Sequence, residues 1–222
     1  KNDVAYSDRN VVLIGISAGI SYGQLGSTHH SIHDFATLRA INNMTIVAPA
    51  DNLEASEVIK QAVSYNKPLY IRYGKKPMMD IHPAGTKFKI GKSILVKKGE
   101  DLTIIATGET LQRAYLAYEI LKENNIHCSI ISMHTIKPFD KETFLEFSTN
   151  SKAILTIEEH SMFGGLGECC ANLIAQNNID TKLKILGIPD EYMINGSQSD
   201  VLDYYNMSPE KIVEISKDLL NK

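Results

Sequence analysis

The sequence has no tryptophan and only three cysteines, Cys128, Cys169 and Cys170. Three thiols, two of them adjacent, make no disulfide framework and point to a reducing compartment. The first ten residues carry neither a secretion signal nor a twin-arginine signal, so a cytoplasmic location is expected. Fourteen glycines and seven prolines are too few for a disordered or collagen-like chain. No sign of charge dominates: the formal net charge is −3 and the pI about 6.2, which leaves no polycationic footprint for nucleic acid or a membrane surface. The longest apolar-leaning run, residues 11–20, holds two glycines and a serine, and it falls far short of the roughly 20 apolar residues that a bilayer requires. What remains is a chain of 222 residues, 43% hydrophobic, long enough to bury a sizeable core in one or two domains.

Short apolar runs alternate with segments of helical period. Residues 11–16, 44–48 and 67–73 read as strands, and residues 32–41 as a helix with Ile32, Phe35, Ala36 and Leu38 near one face. Asp51 with Glu54 three residues on forms a capping-box pattern before a helix over 52–65. Between Gly74 and Gly91 the pattern lapses into turn chemistry. A second series follows, with strands at 93–97, 102–107, 128–133, 153–158 and 184–187 and helices at 110–124, 141–147 and 166–177. Ser208, Pro209 and Glu210 open the last helix. The expected fold is α/β, two mainly parallel, helix-covered sheets in tandem, over residues 1–78 and 91–222 with a linker at 79–90. The first unit is small, and its three-stranded parallel sheet would leave an edge and a face uncovered. It reads as the end of a domain whose beginning lies elsewhere.

The densest polar cluster runs from Tyr22 to Asp34 and includes Gln24, Ser27, Thr28, His29, His30 and His33. It follows the first strand, where open parallel sheets bind ligands. His29 and His33 are four apart but straddle a helix start, and no third ligand lies at zinc-site spacing. Gly164, Gly165 and Gly167 precede a helix and suit either an anion held on backbone N–H groups or close helix packing, the second being favoured. Glu158, Glu159 and His160 at a strand end read as a solvated or interface feature. Arg72, in an otherwise apolar strand, needs a partner: a phosphate, a carboxylate ligand or a structural salt bridge would each serve. Cys169 and Cys170 read as core fillers.

Taken together these residues resemble transketolase. Gly26-Ser27-Thr28-His29-His30, then Leu38 to Thr45 and Ala48 to Ala55, are similar to the second half of its pyrimidine-binding domain. Ile157 to Gly167 and Gly187-Ile188-Pro189-Asp190 are similar to its C-terminal domain. The resemblance implies an enzyme that moves a two-carbon ketol unit between sugars or sugar phosphates, using thiamine diphosphate with Mg2+. It implies a catalytic role for His29 beside the thiazolium ring, and substrate binding by Arg72, His30 and Gln24, with Arg72 on the substrate phosphate.

The departures carry equal weight. The family's catalytic-glutamate motif and its Gly-Asp-Gly diphosphate and magnesium motif are absent, so cofactor-binding and metal residues in this chain are unassigned. The resemblance therefore implies a fragment or one piece of a split enzyme, inactive alone, in a homodimer or with a partner that carries the diphosphate-binding domain. Leu25 stands where the family has an aspartate that contacts a donor hydroxyl, and Ser17 where a second substrate histidine is expected. A leucine cannot hydrogen-bond a hydroxyl, which suggests an unusual donor and a specialised sugar metabolism. The alternatives are a beta-type subunit of a 2-oxo acid dehydrogenase, a deoxyxylulose-phosphate-synthase-like enzyme, or a non-catalytic dimerisation or regulatory module.

Overall fold

All eight expected strands and six expected helices form, with ends shifted by a few residues, in the computed structural model, which describes residues 1–221. The first unit contains β1 (Val12–Ile16), α1 (Asp34–Arg39), β2 (Thr45–Val47), α2 (Asn52–Ala62) and β3 (Leu69–Tyr73). The second contains β4 (Ile94–Lys97), β5 (Leu102–Ala106), α3 (Thr110–Glu123), β6 (Cys128–Ser132), β7 (Thr135–Lys137), α4 (Lys141–Asn150), β8 (Ala153–Ser161), α5 (Leu166–Gln176), β9 (Lys182–Ile188), α6 (Gln198–Tyr204) and α7 (Pro209–Asn221). Periodicity did not disclose β7 or α6, of three and seven residues.

Two sheets result, in the orders β1-β3-β2-β7 and β4-β6-β5-β8-β9. Pairing is parallel except at β2–β7 and β4–β6. The tandem picture needs one correction: β7 leaves the second unit and pairs antiparallel with β2 of the first, Ile46 opposite Lys137 and Val47 opposite Thr135. It closes the edge that β2 would otherwise present. Among the described residues no strand pairs with the opposite edge, along β1, where Ile14 is 51% and Ile16 72% exposed.

The central strands of the second sheet, β5, β6 and β8, bury both faces, as their continuous apolar runs require. Ile104 packs with Leu111, Leu121 and Ile212 on one side. Ile105, its neighbour, packs on the other with Phe144, Leu166 and the first unit's Phe35 and Ile46. Each such side chain contributes roughly 1.5–3 kcal/mol on burial, so the second core joins the units into one body. Lys137 strengthens that joint by donating to the carbonyls of Arg39 and Ile41, at 2.9 and 2.5 Å, where α1 ends.

The segment between the units has no strand or helix, yet it is firmly attached. Phe88 and Ile90 are buried against Val58 and Ile71. Asp51 caps α2 by accepting from Glu54 N, and its other oxygen accepts from the backbone of Ile81 and His82 and from His82 Nδ1 at 2.8–3.0 Å. These donors, the His82 ring foremost among them, outweigh burial and hold the Asp51 carboxyl well below its usual range. The return arm of the expected capping box lands one residue early, with Glu54 accepting from Ala50 N.

Candidate active site

The loop after β1 is a closed excursion. Gly19 and Ser31 exchange two backbone hydrogen bonds, at 3.1 and 2.7 Å, which pinch its ends together. Between them two 3-10 turns, Gly23–Leu25 and Ser27–His29, carry the polar cluster. His29 is exposed at the tip, with Thr28 Oγ1 at 3.0 Å from its Nδ1. Gln24 and Leu25 are exposed beside it, Leu25 by 55%.

This loop forms one wall of a cleft of about 410 Å3 whose other walls are Lys75 and Lys76, just beyond β3, and Ser197 and Gln198 of the second unit. Lys75 Nζ sits 3.9 Å above the Tyr22 ring, and Tyr22 meets the His29 ring edge-on at 6.3 Å. The Ser17 hydroxyl and the Lys75 ammonium together hold the Tyr22 phenol below its usual range. A phenol and a primary ammonium thus line the cleft, with a histidine at the phenol's edge, the donor set that a polyhydroxylated anion needs.

Two of the four expected site residues do not join it. Arg72 is 5% exposed. Its Nε donates to Asp34 Oδ2 at 2.8 Å, its Nη2 donates to the carbonyls of Glu159 and Ser31 at 2.9 and 3.2 Å, and its guanidinium lies 4.5 Å above Phe35. Of the partners open to it in the sequence, the structural salt bridge is the one present. His30 is buried, its Nδ1 at 3.3 Å from Met193 Sδ, and burial lowers its pKa. Gln24 lines the cleft, and His29, exposed at the loop tip, joins it through the edge of the Tyr22 ring.

The strand-end triad also requires correction, because Glu158, Glu159 and His160 are fully buried rather than solvated. The Glu158 carboxylate accepts from Leu166 N and Gly167 N at 2.7 and 2.8 Å, so it caps α5. Glu168 accepts from Gly164 N. The glycine turn therefore holds anions of its own chain, and close packing explains it. Burial pushes Glu158 and Glu159 up to about 7. It pulls His160 down to about 4, and that ring stacks on Phe35 at 5.0 Å. Burial likewise raises all three thiols, Cys128 to about 12. Among the described residues no group of three or more histidine, cysteine, aspartate or glutamate side chains could hold a metal ion. With the glycine turn filled, the described residues do not fit a diphosphate or its metal.

Sequence reasoning placed Tyr22 at the start of the polar cluster without a role and missed Lys75 and Gln198 as cleft residues. Lys75 was legible in principle, since a cation just past a parallel strand's C-terminal end lies where ligands bind. Arg72, inside the strand, is the more conspicuous cation in the sequence.

Comparison with known proteins bears on the family and the fold. The transketolase pyrimidine-binding domain matches residues 1–79, and the transketolase C-terminal domain matches residues 91–212. The chain is 38% identical to one of the subunits of the apulose-4-phosphate transketolase of Phocaeicola vulgatus, over 100% of its own length and 71% of the relative's. It is 39% identical to a putative transketolase C-terminal section of Methanocaldococcus jannaschii, over 96% of its own length and 67% of the relative's. A solved structure described as a split gene transketolase, inactive beta4 tetramer, superposes with a TM-score of 0.87 at 27% identity, covering 99% of this chain and 69% of that one. The chain belongs to the transketolase family, as a C-terminal portion or subunit of a thiamine-diphosphate-dependent, transketolase-like transferase.

Proposed function

We propose that this chain supplies the sugar-binding side of a two-carbon ketol-transfer site, completed by a partner subunit that brings the diphosphate cradle and the magnesium ligands. The carrying observation is the cleft lined by Tyr22 and Lys75, with His29 set edge-on against the Tyr22 ring. Thiamine diphosphate supplies the electron sink for cleaving the carbon–carbon bond, and the protein supplies positioning and proton transfer. His29, exposed at the loop tip, contacts the substrate oxygens, and an imidazole there can both donate and accept. Lys75 takes the phosphate-gripping role that the resemblance gave to Arg72, because Arg72 is tied inward to Asp34 while Lys75 stands at the cleft. Gln24 adds an amide to the same wall.

A relative named for a sugar phosphate supports a phosphorylated donor. Leu25 presents an apolar face where a hydroxyl-reading aspartate would stand, which favours a donor that differs there from the common ketose phosphates. The test is Lys75→Ala in the enzyme assembled with its partner subunit. KM for a phosphorylated ketose should rise by about tenfold or more, the loss of one charge-assisted contact, with the melting temperature unchanged. An unchanged KM would overturn the assignment.

A further inference from the structure

The seam behind the cleft holds an arrangement that sugar binding does not by itself require. Gln198, the first residue of α6, is buried and lines the cleft. Its Nε2 donates to two carboxylates at once, Glu109 Oε2 at 2.6 Å and Glu159 Oε1 at 3.0 Å. Glu159 Oε1 also accepts the backbone N–H of Ile20 at 2.7 Å, at the root of the loop that carries His29. A methyl group at Gly19 would overlap the same carboxylate. Glu109 serves the opposite wall: its carboxylate fills the space that a side chain at Gly74 would need, one residue before Lys75. Two carboxylates brought this close repel, and burial together with Glu109 pushes Glu159 upward against the pull of Arg72. The amide between them offsets that repulsion.

We propose that Gln198 is a positioning residue for the donor site: by bridging Glu159 and Glu109 it fixes the spacing between the His29 loop and the Lys75 strand end. This inference rests on the reading of the cleft as the phosphorylated-donor site. It assigns the C-terminal unit a part in the reaction although that unit contributes few groups to the cleft surface. Misplacement of a binding wall by as little as ~1 Å can cost up to about a hundredfold in rate, so a lost bridge should be readable in kinetics.

The experiment compares Gln198→Leu, Gln198→Asn and Lys75→Ala in the complete enzyme, with a phosphorylated and an unphosphorylated ketose as donors. Gln198→Leu keeps the volume and removes the donors, while the shorter asparagine reaches one carboxylate but not both. For Gln198→Leu, KM for the phosphorylated donor should rise about tenfold and kcat should change less, with a smaller rise for the unphosphorylated donor. Gln198→Asn should fall between Gln198→Leu and wild type, which keeps the test decisive if the leucine variant fails to fold. A KM rise in Lys75→Ala without one in the Gln198 variants would overturn this inference alone. Equal losses for both donors that track a lowered melting temperature would also overturn it, leaving Gln198 with a structural role. No rise in Lys75→Ala would overturn the cleft reading and this inference with it.

Discussion

Replacing Arg72 by methionine separates a structural from a ligand-binding arginine. The substitution keeps an unbranched apolar stem over Phe35 but removes the cation from Asp34, whose side chain is 10% exposed. Leaving one partner of a buried ion pair behind costs about 3–5 kcal/mol. The carbonyls of Ser31 and Glu159 lose a donor as well, which keeps the loss at the upper end of that range. For a chain of this size the melting midpoint falls about 2–4 °C per kcal/mol, so a drop on the order of 10–20 °C is expected. Thermal unfolding followed by circular dichroism reads it directly. Asp34→Asn added to Arg72→Met should recover part of the loss, because it removes the orphaned charge while keeping an acceptor for Tyr70. In the folded, assembled enzyme, donor KM should move less than about threefold. A melting midpoint within about 2 °C of wild type, coupled to a large rise in KM, would refute the reasoning and return Arg72 to the substrate.

Further outcomes follow from the buried groups. Glu158 has its carboxyl raised from 4.5 to about 7, so its contribution is complete below pH ~4.5 and is lost as pH rises through ~7, a share on the order of 3 kcal/mol. Urea titrations of Glu158→Gln and wild type should therefore show the stability difference shifting toward the variant between pH 5 and pH 8, by about that amount. Asp51→Ala should cost about 2–4 kcal/mol, combining a lost helix cap with three unsatisfied donors. Limited proteolysis should then cut within residues 79–90, where the wild-type chain resists. Cys128 and Cys170, buried with raised thiol pKa values, should react with a thiol reagent only at the rate of unfolding, and rapid labelling of either in native protein would contradict that burial.

Local patterns carried most of the fold. Asp51 and Glu54 announced α2, Ser208 and Pro209 announced α7, and the β-branched runs announced both sheets. Contacts decided by distant chain were hidden. Glu158 and Glu159 look like an ordinary polar strand end until Leu166, Gly167, Ile20 and Gln198 are brought to them. Phe88 and Ile90 sit in an aperiodic stretch and gave no sign that they would be buried. The candidate site was legible only through the family resemblance for His29 and Gln24, and the inward tie of Arg72 depends on Asp34, 38 residues from it in the chain.

The crossing of β7 into the first sheet has a consequence for how the chain folds during synthesis. Thr135, the antiparallel partner of Val47, leaves the ribosome 88 residues after it, a wait of roughly 4–18 s at typical elongation rates of ~5–20 residues per second. Through that interval β2 is an unpaired apolar edge, the kind of template that recruits a neighbouring nascent chain. Lys137 also arrives only then to cap α1. The two units therefore mature together rather than in turn. Separating the two units at the linker would leave β2 without its antiparallel partner β7.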